Sequence, residues 1–148
     1  MKTEDSIFLQ ALNKKPLSTP PIWYMRQAGR YMPEYRAVRK NFKNFLDMCK
    51  NADVCCELAM QPINAFNLDV AILFSDILTI PDAMGLGVQF LEGEGPVFEN
   101  PIKTSKDVMD IHSFDPDKLS YVYKAVSNIK SALPKNIPLI GFSGSPWT

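Results

Sequence analysis

The run "VAILF", Val70 to Phe74, constrains this chain more than any other stretch: five consecutive apolar residues with no polar residue among them. A strand with one face in water alternates apolar and polar side chains. A run without alternation suits a strand covered on both faces, as in a parallel sheet flanked by helices. Two further segments read the same way: Ile22 to Met25, bounded by prolines and a glycine loop, and "IPLIGF", Ile137 to Phe142.

The stretches between these runs read as helices and connections. "SIFLQALN" forms a short amphipathic opening helix, and Pro33 followed by Glu34 starts another over "PEYRAVRKNF". A longer helical tract is expected from Asn44 to Phe66, with Ala52, Cys55, Cys56, Ala59 and Ile63 as its apolar stripe and a kink at Pro62. "PDAMG" reads as a helical turn, "LGVQFL" as a strand or extended arm, and "EGEGP" as a turn. A second amphipathic helix begins at Asp115, with Pro116 in its first turn. It carries Leu119, Val122, Tyr123, Val126, Ile129 and Leu133 at helical spacing.

The order strand, helix, strand, arm, helix, strand predicts an α/β fold with parallel strands and crossover helices. Three strands alone would leave the last as an unpaired apolar edge. A (β/α)8 TIM barrel needs about 250 residues, so residues 1–148 are expected to form the N-terminal portion of one barrel domain, its C-terminal remainder absent.

Charge narrows the partners. Sixteen acidic residues balance sixteen basic ones, so no global field favours nucleic acid or an anionic membrane. No apolar run approaches a membrane span, and "MKTEDS" is not a signal peptide. Cys49, Cys55 and Cys56 are odd in number and match no zinc spacing, and the one histidine, His112, is far from them in sequence. The cysteines read as small hydrophobes on a helix in a reducing, cytoplasmic setting, and no metal is expected.

Only four of the sixteen basic residues are arginine, and Arg26, Arg30, Arg36 and Arg39 all fall within fourteen residues. Arginine pairs in a planar fork with carboxylate or phosphate and stays charged when partly desolvated. Arg36 and Arg39 fit a solvated helix face, whereas Arg26 and Arg30 follow an apolar run where an idle cation is costly. In parallel α/β folds, ligands sit at the carboxyl ends of strands. "RQAGR", "SDIL" and "SGSPWT" would leave the three strands there, bringing Arg26, Arg30 and Asp76 to one mouth. Gly29 would allow close backbone approach or a positive φ. Asp76 is either a cap for the next turn or a functional, ionised acceptor. His112 is expected at a surface or helix end.

Three blocks, "WYMRQAGRYMPEYR", "ILFSDILTIPDAMGLGVQF" with "EGEGPVF", and "PLIGFSGSPWT", resemble the N-terminal blocks of the uroporphyrinogen decarboxylase family, in the same order and over nearly the whole chain. The resemblance implies a TIM barrel, dimeric at full length. It also implies cofactor-independent decarboxylation of the four acetate side chains of uroporphyrinogen III to coproporphyrinogen III in haem biosynthesis. Decarboxylation leaves an electron pair that needs a sink. The resemblance implies that the substrate's own pyrrole, protonated on a ring carbon to an iminium, accepts it. It assigns Asp76 to the pyrrole N–H groups and the developing positive charge, a preorganised electrostatic role. Arg26 and Arg30 pair with substrate carboxylates, Arg26 being a candidate for relaying the proton. Gln27, Ala28 and Gly29 shape the loop against the substrate, and Arg39 matches another substrate-contacting arginine. The family's remaining pocket residues, a tyrosine, a serine and a histidine, lie beyond Thr148, so the chain alone is expected to have little or no activity.

Other readings fit less well. "GFSGS" has Ser145 where a nucleophile elbow around Ser143 wants glycine, and His112 precedes that serine instead of following it. "GLG" and "GEG" do not extend to a dinucleotide-binding loop. A non-catalytic anion-binding α/β module stands as the alternative. Corrinoid-dependent methyltransferases of the same superfamily generally lack the "RQAGRY" block.

Overall fold

The computed structural model describes residues 6–91, 95–111 and 115–145. The chain opens with α1 (Ile7–Leu12) and continues through α2 (Pro33–Arg39), α3 (Phe45–Cys49) and α4 (Ala52–Ala65). Strand β1 (Ala71–Ile72), α5 (Thr79–Ala83), β2 (Val88–Leu91) and β3 (Gly95–Phe98) follow. The last elements are α6 (Ser105–Met109), a 3-10 turn at Pro116–Leu119, α7 (Ser120–Ala132) and β4 (Leu139–Ile140). β1 and β4 pair in parallel, Ala71 opposite Leu139 and Ile72 opposite Ile140. All the intervening elements belong to the crossover between them, so the expected α/β organisation holds.

The core lies between α4, α7 and the parallel pair. Ala52, Cys55 and Ala59 of α4 face Ala125 and Ile129 of α7, with Leu73 beneath them and Leu139 packed alongside. Small side chains on both helices permit this close packing. Asn128 Nδ2 donates to Asp53 Oδ1 at 2.7 Å, tying the solvent side of the same helix pair. The cysteine expectation holds: Cys49 and Cys55 are buried and Cys56 partly so, all three as free thiols.

Three sequence expectations need correction. The helical tract from Asn44 to Phe66 is two helices, because the asparagines act as caps. Asn44 accepts from Asp47 N–H, and Asn51 accepts from Asp53 N–H and Val54 N–H. Each removes unsatisfied donors at a helix start, so the chain restarts at Asn51 although the apolar stripe runs on. Pro62 stays within α4, fully buried. Next, regular pairing in "VAILF" covers only Ala71–Ile72.

The largest correction concerns Ile22 to Met25, which is neither a strand nor buried. Ile22, Trp23, Tyr24 and Met25 are 46%, 40%, 59% and 80% exposed. Pro20 and Pro21 carry no N–H, and the Ile22 N–H is taken by the Asp69 carboxylate at 2.8 Å. One backbone bond remains toward β1's side, Asp69 N–H to Ile22 O at 3.0 Å. The segment still runs beside β1 in the same direction, since Ile22 meets Asp69 while Gln27 meets Val70 and Ile72.

β2 and β3 form an antiparallel hairpin, Val88 opposite Phe98 and Leu91 opposite Gly95, which bears out the arm at "LGVQFL". Gly87 enters it at φ +63, where an added Cβ would lie 2.7 Å from Glu99 Oε2. The turn expected at "EGEGP" lies largely outside the described residues, as does His112.

Candidate functional site

β1 is the strand from which the site is built, and its two edges are satisfied differently. Toward β4, Ala71 N–H donates to Pro138 O at 3.0 Å and Leu73 N–H to Ile140 O at 2.9 Å. On the other edge, Ile72 N–H donates to Gln27 Oε1 at 3.1 Å, and Gln27 Nε2 donates to Val70 O at 2.6 Å. Gln27 is 4% exposed. Its carboxamide therefore does for β1 what a neighbouring strand's peptide group would do.

Gln27 stands between the two arginines that the sequence singles out. Arg26 and Arg30 are both exposed, and among the described residues neither side chain makes a hydrogen bond or ion pair. Arg36 and Arg39 differ. Arg36 Nη1 donates to the carbonyls of Arg30 at 2.7 Å and Tyr31 at 3.3 Å, and Arg39 Nη1 donates to Phe42 O at 2.7 Å. These two guanidiniums support backbone around α2, Arg36 by holding the loop that presents Arg30. Met32 N–H closes a turn onto Gly29 O at 2.9 Å. Gly29 does not have a positive φ, and an added Cβ would meet only the Tyr31 ring, at 3.4 Å. Ala28 is half-buried against the Met32–Tyr35 cluster.

Beyond β1, Phe74 packs against Tyr35 of α2 and Phe45 of α3, ring centroids 6.2 Å and 5.7 Å apart. Asp76 follows two residues later, half-buried. Asp76 Oδ1 accepts from Leu78 N–H at 2.7 Å, and its carbonyl accepts from Thr79 Oγ1 at 2.9 Å. The Asp76 carboxylate closes the turn that precedes α5, whose own N-cap, Leu78, makes no side-chain cap bond. One carboxylate oxygen holds the turn, and no described group bonds the other.

Burial and nearby charge act on two groups of α2 and α3, Tyr35 and Cys49. Burial raises the Tyr35 phenol above its ordinary range, with Arg39 and then Arg30 pulling it down. Burial also pushes the Cys49 thiol up, reinforced by Cys55 and Asp76. Cys55 is pushed up to about 12 by burial, so neither buried cysteine offers a thiolate near neutral pH. No group of three or more metal-ligating residues occurs among the described residues.

Arg26 faces elsewhere. It lines a cavity of about 520 Å³ with Ile22, Tyr24, Tyr31, Phe66, Asn67 and Leu68, and neither Arg30 nor Asp76 reaches that cavity. Sequence reasoning missed Tyr31, which lines this cavity and whose hydroxyl donates to Gln27 O. Its place beside Arg30 in "RQAGRY" was the available signal. Asp69, which clamps Ile22, was also missed, and nothing in its local sequence marks it.

Parallel strands joined through helices, with exposed guanidiniums in the loop beside one strand and a carboxylate just past its end, place the chain among α/β proteins. Residues 3–148 match the uroporphyrinogen decarboxylase (URO-D) family model, and the chain belongs to that family. It is 61% identical over 141 residues to uroporphyrinogen decarboxylase of Vesicomyosocius okutanii, covering 95% of this chain and 41% of that protein. It is 56% identical over 144 residues to the Francisella tularensis subsp. mediasiatica enzyme of the same name, again covering 41% of it. The chain thus spans about two-fifths of the length of these relatives. Among solved structures, a methyltransferase from Methanosarcina mazei shares the fold with a TM-score of 0.67 at 16% identity, over 95% of this chain and 42% of that one.

Proposed function

We propose that this chain supplies the arginine loop and the aspartate of a uroporphyrinogen decarboxylase site, completed by the remainder of a (β/α)8 barrel that is homodimeric at full length. The observation that carries the reading is the division among the four arginines. Arg36 and Arg39 are engaged with backbone, while Arg26 and Arg30 stand exposed and make no side-chain hydrogen bond or ion pair among the described residues. A substrate bearing eight carboxylates fits two exposed forks, and the relatives' name, uroporphyrinogen decarboxylase, supports a uroporphyrinogen, proposed here to be the III isomer. In a complete barrel, the exposed run Ile22–Met25 would become the first strand, its apolar faces covered by neighbouring strands and helices.

In the proposed reaction, protonation of a pyrrole ring carbon gives an iminium. The C–C bond to the departing carboxylate breaks, and its electron pair flows into that iminium. The carboxylate leaves as CO2, and protonation of the exocyclic methylene carbon with loss of the proton first added to the ring carbon restores the pyrrole and leaves a methyl group. Asp76 faces the pyrrole N–H groups and stabilises the positive charge, so no cofactor or metal is invoked. Arg30 holds substrate carboxylates on the Asp76 side, and Arg26, which lines a separate cavity in this chain, is proposed to join it once the barrel is complete. The backbone of Gln27, Ala28 and Gly29 lies against the macrocycle. Arg39 is not proposed as a substrate contact, since its guanidinium holds Phe42 O. Arg26 is the candidate proton relay. The setting is proposed to be the cytoplasm; no described helix is long and apolar enough to cross a membrane.

The test is turnover of uroporphyrinogen, followed by porphyrin fluorescence after oxidation. In the full-length protein, Asp76→Asn should reduce kcat by about 10² or more, a loss typical of removing one preorganised charge contact, with a smaller change in KM. No turnover by the unsubstituted full-length protein, with uroporphyrin still bound, would instead point to the non-catalytic anion-binding alternative. The 148-residue chain alone should turn over little or no substrate.

A further inference from the structure

We infer that Gln27 is a positioning residue: its side-chain carboxamide takes the place of a strand on the free edge of β1 and thereby sets the register of the Arg26–Arg30 loop. The bonds are complementary. Gln27 Oε1 accepts from Ile72 N–H at 3.1 Å, and Gln27 Nε2 donates to Val70 O at 2.6 Å. These two groups point away from β4, whose carbonyls take the N–H groups of Ala71 and Leu73 instead. A buried strand edge left unpaired is costly, and one planar amide satisfies its donor and acceptor together.

A carboxamide held at both ends, at 4% exposure, has little freedom. The backbone of Gln27 is pinned as well, since Tyr31 Oη donates to its carbonyl. The flanking guanidiniums, one residue before and three after, are therefore carried on a loop fixed to the same strand that leads through Phe74 to Asp76. The side chain of Gln27 thus acts through β1, leaving only its backbone to face a ligand. The benefit to ligand binding rests on the uroporphyrinogen reading above; the register role does not.

Amide hydrogen exchange separates the two. Gln27→Met keeps the length and bulk of the side chain but removes both bonds. In this variant the Ile72 amide should lose protection by at least about fivefold, the lower end for a broken buried hydrogen bond. Asp69 N–H should lose protection too. Its partner is Ile22 O, not Gln27, at 3.0 Å, so it opens only if the whole segment slips. Ala71 and Leu73, on the β4 edge, should keep theirs and so report an intact fold. In the unsubstituted chain the Gln27 carboxamide protons should themselves exchange slowly, a measurement that needs no variant. Unchanged protection at Ile72, fast exchange of those carboxamide protons, or loss at Ile72 with Asp69 unaffected would each overturn the register role. A parallel titration with uroporphyrin, a soluble octacarboxylate, should show several-fold weaker binding by Gln27→Met. Failure of the unsubstituted full-length protein to bind uroporphyrin would count against the substrate reading while leaving the exchange result to decide the register role.

Discussion

The two edges of β1 meet the same requirement by different means. On one, the backbone of β4 closes a parallel ladder, and α4 and α7 cover it with a dry cluster centred on Cys55, Ala59, Ala125 and Ile129. On the other, a single glutamine side chain bonds the strand, and the segment beside it leaves four large apolar residues exposed. Stability concentrates where backbone pairs with backbone over an apolar layer. The groups proposed to bind anions sit on the edge bonded by a side chain, where two guanidiniums make no hydrogen bond or ion pair among the described residues. The contrast shows how a loop can be fixed in register yet keep its charged ends available.

The contrast breaks if substitutions on the two sides cost the same. The largest stability loss should come from Ile129→Ala, since that side chain is fully buried between α4 and α7. About 2–5 kcal/mol is expected from the lost burial and the cavity left behind, read as a shift in the denaturant midpoint.

The next effect is alkaline and belongs to the same side. Cys55 is raised from 9.0 to about 12, mainly by burial. Its neutral form is favoured in the folded state, so its contribution is fully present below pH 9. As pH rises from 9 to 12 the unfolded thiol ionises first and that contribution is lost. Stability should therefore fall across that window, and Cys55→Ala should flatten the fall. An equally steep decline in the variant would mean that Cys55 is not the group responsible.

A smaller loss should follow Asp76→Ala, which removes the acceptor 2.7 Å from Leu78 N–H. We expect ~1 kcal/mol, the usual net worth of one hydrogen bond, measured by thermal unfolding. That is far below the catalytic loss expected for the same residue, and a stability cost above that of Ile129→Ala would make Asp76 chiefly structural. The smallest effect should come from Lys50→Ala. Its ion pair with Asp82 spans 2.7 Å, but the lysine side chain is 44% exposed. Less than about 1 kcal/mol is expected, declining with added salt.

Much of the ladder side was legible in the sequence because it follows from periodicity. The unbroken run from Val70, the helical stripe of α7 and the apolar run before Gly141 place β1, α7 and β4 near their observed positions. The break at Asn51 was readable in principle, since asparagine followed by acidic Asp53 is a helix start, but the continuous apolar stripe masked it. The loop side was less legible. The clustering of arginines marked the right fourteen residues, and the engaged pair was expected on a helix face. That Ile22–Met25 would stay outside the sheet was not readable, because its apolar composition suits a buried strand. What decides its state is which backbone groups Asp69 and Gln27 occupy, partners more than forty positions apart. No local pattern encodes a pairing at that separation.

Arg26 and Arg30 are proposed as the anion-binding pair, while Arg36 and Arg39 chiefly hold backbone. The most direct measurement is uroporphyrin affinity of two double variants of the full-length protein, Arg26→Lys with Arg30→Lys, and Arg36→Lys with Arg39→Lys, at fixed ionic strength. Charge is conserved in both, so only fork geometry changes. Roughly tenfold or greater weakening is expected for the first pair, as when two-point carboxylate pairing is lost, and little change for the second. Equal losses from both pairs, or a larger loss from the second, would contradict that proposal.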